Sequence, residues 1–163
     1  FYVKNIDQRT EKLSINFNKM LKYENKKRFN DITVLKEYAK KVSETKEELM
    51  SILTSIKKEG KTIIGYGASG RGTMILNYCG IDNRYLDYVV DDAPAKHGFH
   101  TPGTHLSIKP WDYVYKAGFP DYIILFAWAF TNEVIEKRKD YLQKGGKFII
   151  PLPELRVISN EQF

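Results

Sequence analysis

Residues 62–80, TIIGYGASGRGTMILNYCG, decide the fold of this chain. An apolar run enters a cluster of glycines, and the residues after the cluster have the composition of a helix. Gly65, Gly67 and Gly70 stand in the G-x-G-x-x-G spacing that cradles a pyrophosphate between a strand and a helix. The stretch therefore predicts a strand over 62–66, a glycine turn, and a helix over 71–79.

The glycine turn has the chemistry of an anion-binding site. Gly65 can adopt dihedrals closed to other residues, Gly67 lets a phosphate approach without meeting a Cβ, and Gly70 lets the helix pack closely on the strand. The helix N-terminus presents unpaired N–H groups and the positive end of the helix dipole. Ser69 adds a hydroxyl donor and Arg71 a fixed positive charge. We therefore predict that the turn binds a phosphate group.

Asp91 extends this prediction from a phosphate to a nucleotide. It lies 21 residues after Gly70 and near the end of the second predicted strand, over 86–92. In dinucleotide-binding proteins this is the position of the acid that binds a ribose hydroxyl. The alternative is a turn that needs its glycines for packing only. The predicted helix is short for a dinucleotide-binding fold, and no spacing indicates an acid–base pair for hydride transfer.

The rest of the chain alternates strands with helices, after a helical beginning. Further strands are predicted over 119–128 and 147–153, an edge strand within 154–158, and a helix over 131–146 with Thr131 or Asn132 as N-cap. This alternation predicts an α/β fold: a Rossmann-like, doubly wound, mostly parallel sheet over residues 61–163. Residues 1–60 are predicted to be a helical arm.

The helical arm is predicted from apolar residues that recur at three- and four-residue spacing. One helix is expected over 10–28, and a long amphipathic helix over 32–58, with Asn30 or Asp31 as N-cap and Gly60 as C-cap. The chain opens on FYVKN without an initiator methionine, which we interpret as the end of a strand in a fragment of a longer protein. The inner face of the first helix is predicted to contain Leu13, Ile15, Phe17, Met20 and Leu21.

Composition narrows the classes of function. Residues 1–60 carry 14 Lys/Arg against 9 Asp/Glu, but the acids interleave the bases as on a solvated helix face, so no nucleic-acid partner is predicted. The single cysteine, Cys79, excludes an internal disulfide and a Cys-rich zinc site, and it is predicted to be a small buried hydrophobe. No signal peptide or apolar run of membrane-spanning length is present in the sequence. A cytoplasmic protein with no membrane partner is predicted.

The loop after Asp91 holds all three histidines: His97, His100 and His105. No cysteine accompanies them and their loop is rich in Pro and Gly, so no metal site is predicted. Because ligands bind outside the carboxyl ends of the strands in such sheets, His105 is a candidate for contact with a phosphate or sugar hydroxyl. Trp128 lies on the same predicted rim, where its indole would either stack on a base or sugar, or pack against the protein.

Several motifs in order carry a resemblance to a known family. The stretches GKTIIGYGASGRGTMILNYCGI, VDDAPAKHGFHTPGTHLSI, PDYIILFAW and GGKFIIPLPELRVI resemble the C-terminal domain of S-adenosylmethionine-dependent nucleotide-sugar C-methyltransferases, and the helix from Val34 is similar to its helical lead-in. The resemblance covers residues 30–158. The residues that it marks as substrate-binding candidates are Gly65, Gly67, Ala68, Ser69, Gly70, Arg71, the 102–105 turn with Thr104 and His105, Phe126, Ala127 and Trp128.

The resemblance implies a division of labour within a larger enzyme. That family has an N-terminal zinc-binding domain, a central methyltransferase domain and this Rossmann-like domain, which helps to bind the nucleotide-diphospho-sugar. Its catalytic Tyr and His residues and its zinc ligands precede this region, so no catalytic residue and no cofactor are expected here. S-adenosylmethionine is expected to bind the upstream domains, which are partners of this one. The family commonly has lysine at Arg71, and either cation can contact phosphate.

Three hypotheses remain open from the sequence. The leading one is a nucleotide-sugar-binding domain, inactive alone, of an enzyme in which a base deprotonates a sugar carbon beside a keto group and the carbanion takes a methyl group. The second is an NAD-binding oxidoreductase domain in which Asp91 binds the adenosine ribose. The third is a domain that keeps the fold without a ligand and serves assembly. Fold alone does not decide among them.

Overall fold

The computed structural model describes residues 14–162, which fall into two compact units: residues up to Val42 and residues from Ser43 onward. The division lies inside the second helix, whereas the sequence places a domain boundary between residues 60 and 61. That boundary concerns the organisation of the whole protein and stays a prediction. Within residues 14–162, no helix is both long enough and apolar enough to cross a lipid bilayer.

Helix α1, Ile15–Lys27, is the first helix of the described part of the first unit. The Ser14 hydroxyl accepts the N–H of Phe17 at 3.1 Å, and Arg28 ends the helix in the left-handed region with φ of 56°. The predicted beginning at residue 10 and the face residue Leu13 lie outside the described residues. The predicted inner face is wrong for the rest, because nothing among residues 14–42 covers it and its members are exposed: Ile15, Phe17, Met20 and Leu21.

Helix α2, Ile32–Lys58, has the predicted bounds. Asp31 provides its N-cap, since its Oδ1 accepts the N–H of Thr33 at 2.8 Å. The N–H of Gly60 donates to the carbonyl of Lys57, and a φ of 73° lets this glycine end the helix as predicted. Three apolar side chains near the end of α2 are buried in the second unit: Leu49, Leu53 and Ile56.

The second unit is built on a six-stranded sheet in the order β3-β2-β1-β4-β5-β6. The first five strands run parallel and β6 runs antiparallel to β5. This is the order of a Rossmann-like doubly wound sheet, and it confirms the predicted fold class. The strands are β1 Ile63–Tyr66, β2 Val89–Val90, β3 Ile108–Lys109, β4 Tyr122–Leu125, β5 Lys147–Ile150 and β6 Arg156–Ile158.

Helices cover both faces of this sheet. Helix α3, Gly70–Cys79, packs with the end of α2 on one face, where Leu76 and Phe126 are fully buried. Three short helices cover the other face: α4 Asp112–Ala117, α5 Thr131–Lys137 and α6 Lys139–Gln143. Cys79 at the end of α3 is partly buried against the core that α3 and α2 form with the sheet, and burial raises the pKa of its thiol.

The second unit differs from the predicted elements in three places. Strand β2 keeps only two of the seven predicted residues, because the chain turns away after Val90. Strand β3 and helix α4 were not predicted at all. The predicted helix 131–146 is broken at Arg138, whose φ of −119° and ψ of 31° are not helical. Thr131 does not cap this helix; its hydroxyl donates to the carbonyl of Trp128 at 2.6 Å.

Candidate functional site at the carboxyl edge of the sheet

Gly67 makes the sharp turn between β1 and α3. It directly follows the strand, has a φ of 98°, and donates its N–H to the carbonyl of Val90 at 2.8 Å. A Cβ at this position would lie 3.1 Å from the Cβ of Ala127. Both the positive φ and the close neighbour require glycine, so Gly67 is the turn residue of the motif.

Gly72 allows the close approach of α3 to the sheet. A Cβ here would lie 2.9 Å from the carbonyl oxygen of Gly67 and 3.0 Å from the Cβ of Phe126, whereas a Cβ on Gly70 would meet nothing within 4 Å. The packing role predicted for Gly70 is therefore wrong and belongs to Gly72. Gly65 also has a packing role, since its Cβ would lie 2.7 Å from the Phe126 ring.

These contacts shift the glycine fingerprint by two residues. In the structure the motif runs from Gly67 to Gly72 as G-x-S-x-x-G, with Ser69 at the position of the second glycine. Ser69 is the N-cap of α3, and its Oγ accepts the N–H of Gly72 at 3.2 Å. The first-turn N–H groups of Gly70 and Arg71 have no intrahelical acceptor and remain available to an anion. The sequence signal for this register was the pair of glycines five residues apart.

Arg71 brings a positive charge to the first turn of α3. Its guanidinium carbon lies 5.3 Å from the ring centroid of Trp128 and 5.9 Å from that of Phe130. Among residues 14–162, no carboxylate forms an ion pair with Arg71. The two aromatic rings therefore hold an exposed guanidinium that has no carboxylate partner among the described residues.

Trp128 and Phe130 belong to a 3₁₀ turn, Trp128–Phe130, that follows β4. Trp128 is half-buried and Phe130 exposed, so the structure gives Trp128 a packing role and a surface that faces Arg71. Phe130 was not predicted as a site residue, although the alternating aromatic residues of FAWAF placed it near Trp128. Phe126, by contrast, is fully buried beneath the turn, and the structure gives it a packing role in place of the predicted ligand contact.

Asp91 lies next to the turn but is engaged by its own loop. Its Oδ1 accepts the N–H of Ala93 at 2.8 Å, and its Oδ2 accepts a proton of Lys96 Nζ at 2.9 Å. The side chain is only 10% exposed. This burial leaves a ribose hydroxyl little access to the Asp91 carboxylate.

The 102–105 turn lies away from the glycine turn. The carbonyl of Pro102 accepts the Asn77 side-chain amide at 3.0 Å, and Asn77 is seven residues along α3 from Gly70, or about 10 Å. The hydroxyls of Thr104 and Thr101 lie 2.8 Å apart, and the His105 N–H donates to the Thr101 carbonyl. The structure therefore brings Thr104 and His105 to the other half of the helix and not to the candidate phosphate site.

The remaining histidines are parts of the same loop. His97 Nε2 lies 2.8 Å from the carbonyl of Asp91, and His100 forms a bridge with Ser107. In the described range of residues 14–162, no group of three potential metal ligands occurs.

A polar cluster on the second face of the sheet was missed by the sequence analysis. Asp92 Oδ2 accepts the Tyr66 hydroxyl at 2.6 Å and Lys137 Nζ at 2.8 Å, while Oδ1 accepts an Arg138 NH2 group at 2.6 Å. The Arg138 guanidinium carbon lies 4.1 Å from the Trp111 ring centroid. These residues come from four separate segments of the chain, so no local sequence motif predicts the cluster.

The pKa values of the two acidic groups in this cluster, Tyr66 and Asp92, are shifted in opposite directions. Burial raises the pKa of Tyr66 to about 12, which keeps its hydroxyl a proton donor. Burial also disfavours the charged form of Asp92, but the hydrogen bonds from Lys137 and Tyr66 and the charge of Arg138 outweigh it and lower the Asp92 pKa. The cluster therefore presents an ionised carboxylate at neutral pH.

The sheet order and the glycine turn together define a Rossmann-like α/β domain, with the N-terminus of α3 and Arg71 at its carboxyl edge. The chain belongs to the family of C-methyltransferase C-terminal domains, which it matches over residues 1–153. It is 35% identical over 127 residues to C-methyltransferase NovU of Streptomyces niveus, a match that covers 77% of this chain and 30% of that protein. The chain thus spans less than a third of the length of this relative.

One solved structure has a more distant likeness. The crystal structure of UDP-D-quinovosamine 4-dehydrogenase from Vibrio fischeri is 17% identical, with a TM-score of 0.43, over 62% of this chain and 95% of that chain. A likeness at this level bears on neither the substrate nor the reaction of this chain.

Proposed function

We propose that this chain is the nucleotide-sugar-binding domain of an S-adenosylmethionine-dependent sugar C-methyltransferase and that the diphosphate binds at the glycine turn. Membership of the C-methyltransferase family supports the reaction class. The observation that carries the binding site is Arg71, a cation with no carboxylate partner among the described residues, which two aromatic rings hold at the first turn of α3.

The role of this domain in such an enzyme is positioning. A diphosphate bound by Arg71 and the first turn of α3 would fix the attached sugar relative to the rest of the protein. Fixing a reacting carbon in this way lowers the entropic part of the barrier without any catalytic group in the domain itself. We therefore propose that the chain alone is inactive and that the proton transfer and methyl transfer occur in other domains of the same protein.

The positive charge at the glycine turn disfavours the sulfonium group of the methyl donor. S-adenosylmethionine carries a sulfonium cation, and the turn presents the positive end of a helix and a guanidinium group. Asp91, which follows β2, gives each carboxylate oxygen a partner within its own loop and is only 10% exposed. We propose that the donor binds to another domain, and that the complete protein acts in the cytoplasm without nucleic-acid or membrane partners.

Calorimetric titration tests this function. The chain is titrated with thymidine diphosphate, NAD and S-adenosylmethionine, and heat is expected from thymidine diphosphate. Arg71→Ala should weaken this binding by roughly 10- to 150-fold, because a charge-assisted hydrogen bond contributes roughly 1.5–3 kcal/mol. Arg71→Lys keeps the charge and should cost less than Arg71→Ala.

Arg84→Ala is the matched control, because Arg84 is an exposed arginine that pairs with Asp82 before β2, at the opposite edge of the sheet. It should bind thymidine diphosphate as the unaltered chain does. Heat from NAD alone would support the oxidoreductase alternative, in which Asp91 binds a ribose. An absence of heat from all three compounds would contradict the proposed site and favour a structural domain.

A further inference from the structure

We propose that Asp92, and not Asp91, is the acid that binds a sugar hydroxyl at the carboxyl edge of the sheet. This inference rests on the proposed function, since the hydroxyl belongs to the ligand whose diphosphate occupies the glycine turn. Asp92 lies two residues after β2, and its partner Tyr66 is the last residue of β1. Because Gly67 follows Tyr66, the carboxylate and the glycine turn leave neighbouring strands at the same edge.

The two neighbouring aspartates differ in exposure. The Asp92 side chain is 41% exposed, against 10% for Asp91. Asp91 gives one oxygen to the Ala93 N–H and the other to Lys96, so both point into the loop. Asp92 can therefore meet a ligand where Asp91 cannot.

The hydrogen bonds of Asp92 leave room for a hydroxyl. Its Oδ2 accepts two donors, Tyr66 and Lys137, but its Oδ1 accepts only Arg138 among the described residues. A carboxylate oxygen has two lone pairs, so Oδ1 can accept one more proton. Lys137 Nζ is half-exposed and carries three protons, one of which it donates to Asp92. A hydroxyl both donates and accepts, and the adjacent carboxylate and ammonium complement both functions.

Arg138 fixes this carboxylate before a ligand arrives. The guanidinium is buried against the rings of Trp111 and Tyr66, at 4.1 and 5.6 Å from their centroids, and it forms an ion pair with Asp92. A side chain that is already ordered loses little conformational entropy on binding. A purely structural ion pair would need neither an exposed carboxylate nor a second, half-exposed cation.

The test compares probes that differ in hydroxyl groups. Unaltered chain and Asp92→Asn are titrated with inorganic pyrophosphate, thymidine diphosphate and thymidine diphosphoglucose. We expect Asp92→Asn to bind thymidine diphosphoglucose about tenfold more weakly and pyrophosphate with equal or greater affinity, because the variant removes a negative charge. A loss with thymidine diphosphate as well would assign the hydroxyl to the deoxyribose; a loss with the sugar nucleotide alone would assign it to the hexose.

Asp82→Asn makes the same chemical change at the opposite edge of the sheet and should leave all three affinities unchanged. Thermal denaturation checks that Asp92→Asn is folded. If it is not, Asp92→Glu is used instead, because it keeps the charge and moves the carboxylate by one methylene. It should show the same selective loss of affinity. Equal affinities for every probe in the folded variant would overturn this inference alone. Failure of the unaltered chain to bind any probe would instead overturn the proposed function, and this inference with it.

Discussion

At the scale of single residues, two glycines at the start of α3 differ in how closely other atoms surround them. Gly72 is surrounded by the Gly67 carbonyl and the Phe126 side chain, whereas Gly70 faces open space. We predict that Gly72→Ala lowers the free energy of unfolding by about 2 kcal/mol, because backbone must shift to admit the methyl group. Gly70→Ala should leave it unchanged or raise it by up to about 1 kcal/mol, since alanine favours helix.

Urea denaturation of both variants measures this difference directly. Equal destabilisation by the two substitutions would contradict the packing role assigned to Gly72, and a larger loss with Gly70→Ala would favour the register of Gly65, Gly67 and Gly70.

Asp92 makes stability depend on pH at the acid end. Its pKa is lowered in the folded protein, because the donors Lys137 and Tyr66 and the charge of Arg138 outweigh burial. On acidification the unfolded chain therefore takes up this proton first, near the ordinary value of 3.8. The stabilisation by Asp92 is fully present above that pH and is lost as the pH falls through the lower folded pKa.

The measurement is the urea midpoint of the unaltered chain and of Asp92→Asn between pH 7 and pH 2.5. We expect the unaltered chain to be more stable at pH 7 and the two midpoints to converge below about pH 4. A difference that stays constant over this range would show that the Asp92 ionisation does not contribute.

At the scale of elements, the end of α2 contributes buried side chains to the stability of the second unit. Leu49, Leu53 and Ile56 are buried in the core beneath the sheet, whereas α1 buries no residue. We predict that a chain beginning at Ser43 unfolds within a few degrees of the full chain. A chain beginning at Lys61 should lose roughly 5 kcal/mol or more, because each buried aliphatic side chain contributes about 1.5–3 kcal/mol.

Thermal unfolding followed by circular dichroism compares the two truncations. A folded chain beginning at Lys61 would contradict the role assigned to α2 and would support the predicted boundary between residues 60 and 61. Loss of the fold on removing residues 1–42 would show that the first unit contributes to the core of the second.

The break between α5 and α6 shows where local sequence stops predicting structure. Residues 131–146 have the composition and capping residues of one helix, and that single helix was predicted. The structure divides it at Arg138, whose side chain joins Asp92, 46 residues earlier in the chain. No residue pattern within 131–146 indicates that Arg138 has a partner so far away in the sequence. Strand β3 was missed for a related reason, since two residues are too few to show a period.

At the scale of the whole molecule, the sequence predicted the frame of the domain better than its details. Long apolar runs and the glycine cluster fixed β1, α3, β4 and β5 in outline, and with them the doubly wound sheet. The same local signals located Arg71 and Trp128, which the structure brings together. Asp92 was missed because its surroundings are assembled only by the folded sheet.

The outer strands of the sheet carry a consequence for the behaviour of the protein at high concentration. Strand β3 at one margin has two residues, and β6 at the other has three. A margin of this length offers a neighbouring molecule few unpaired peptide groups, so it is a poor template for adding strands from one molecule to the next. The sheet is in this way guarded against fibril growth at both of its sides.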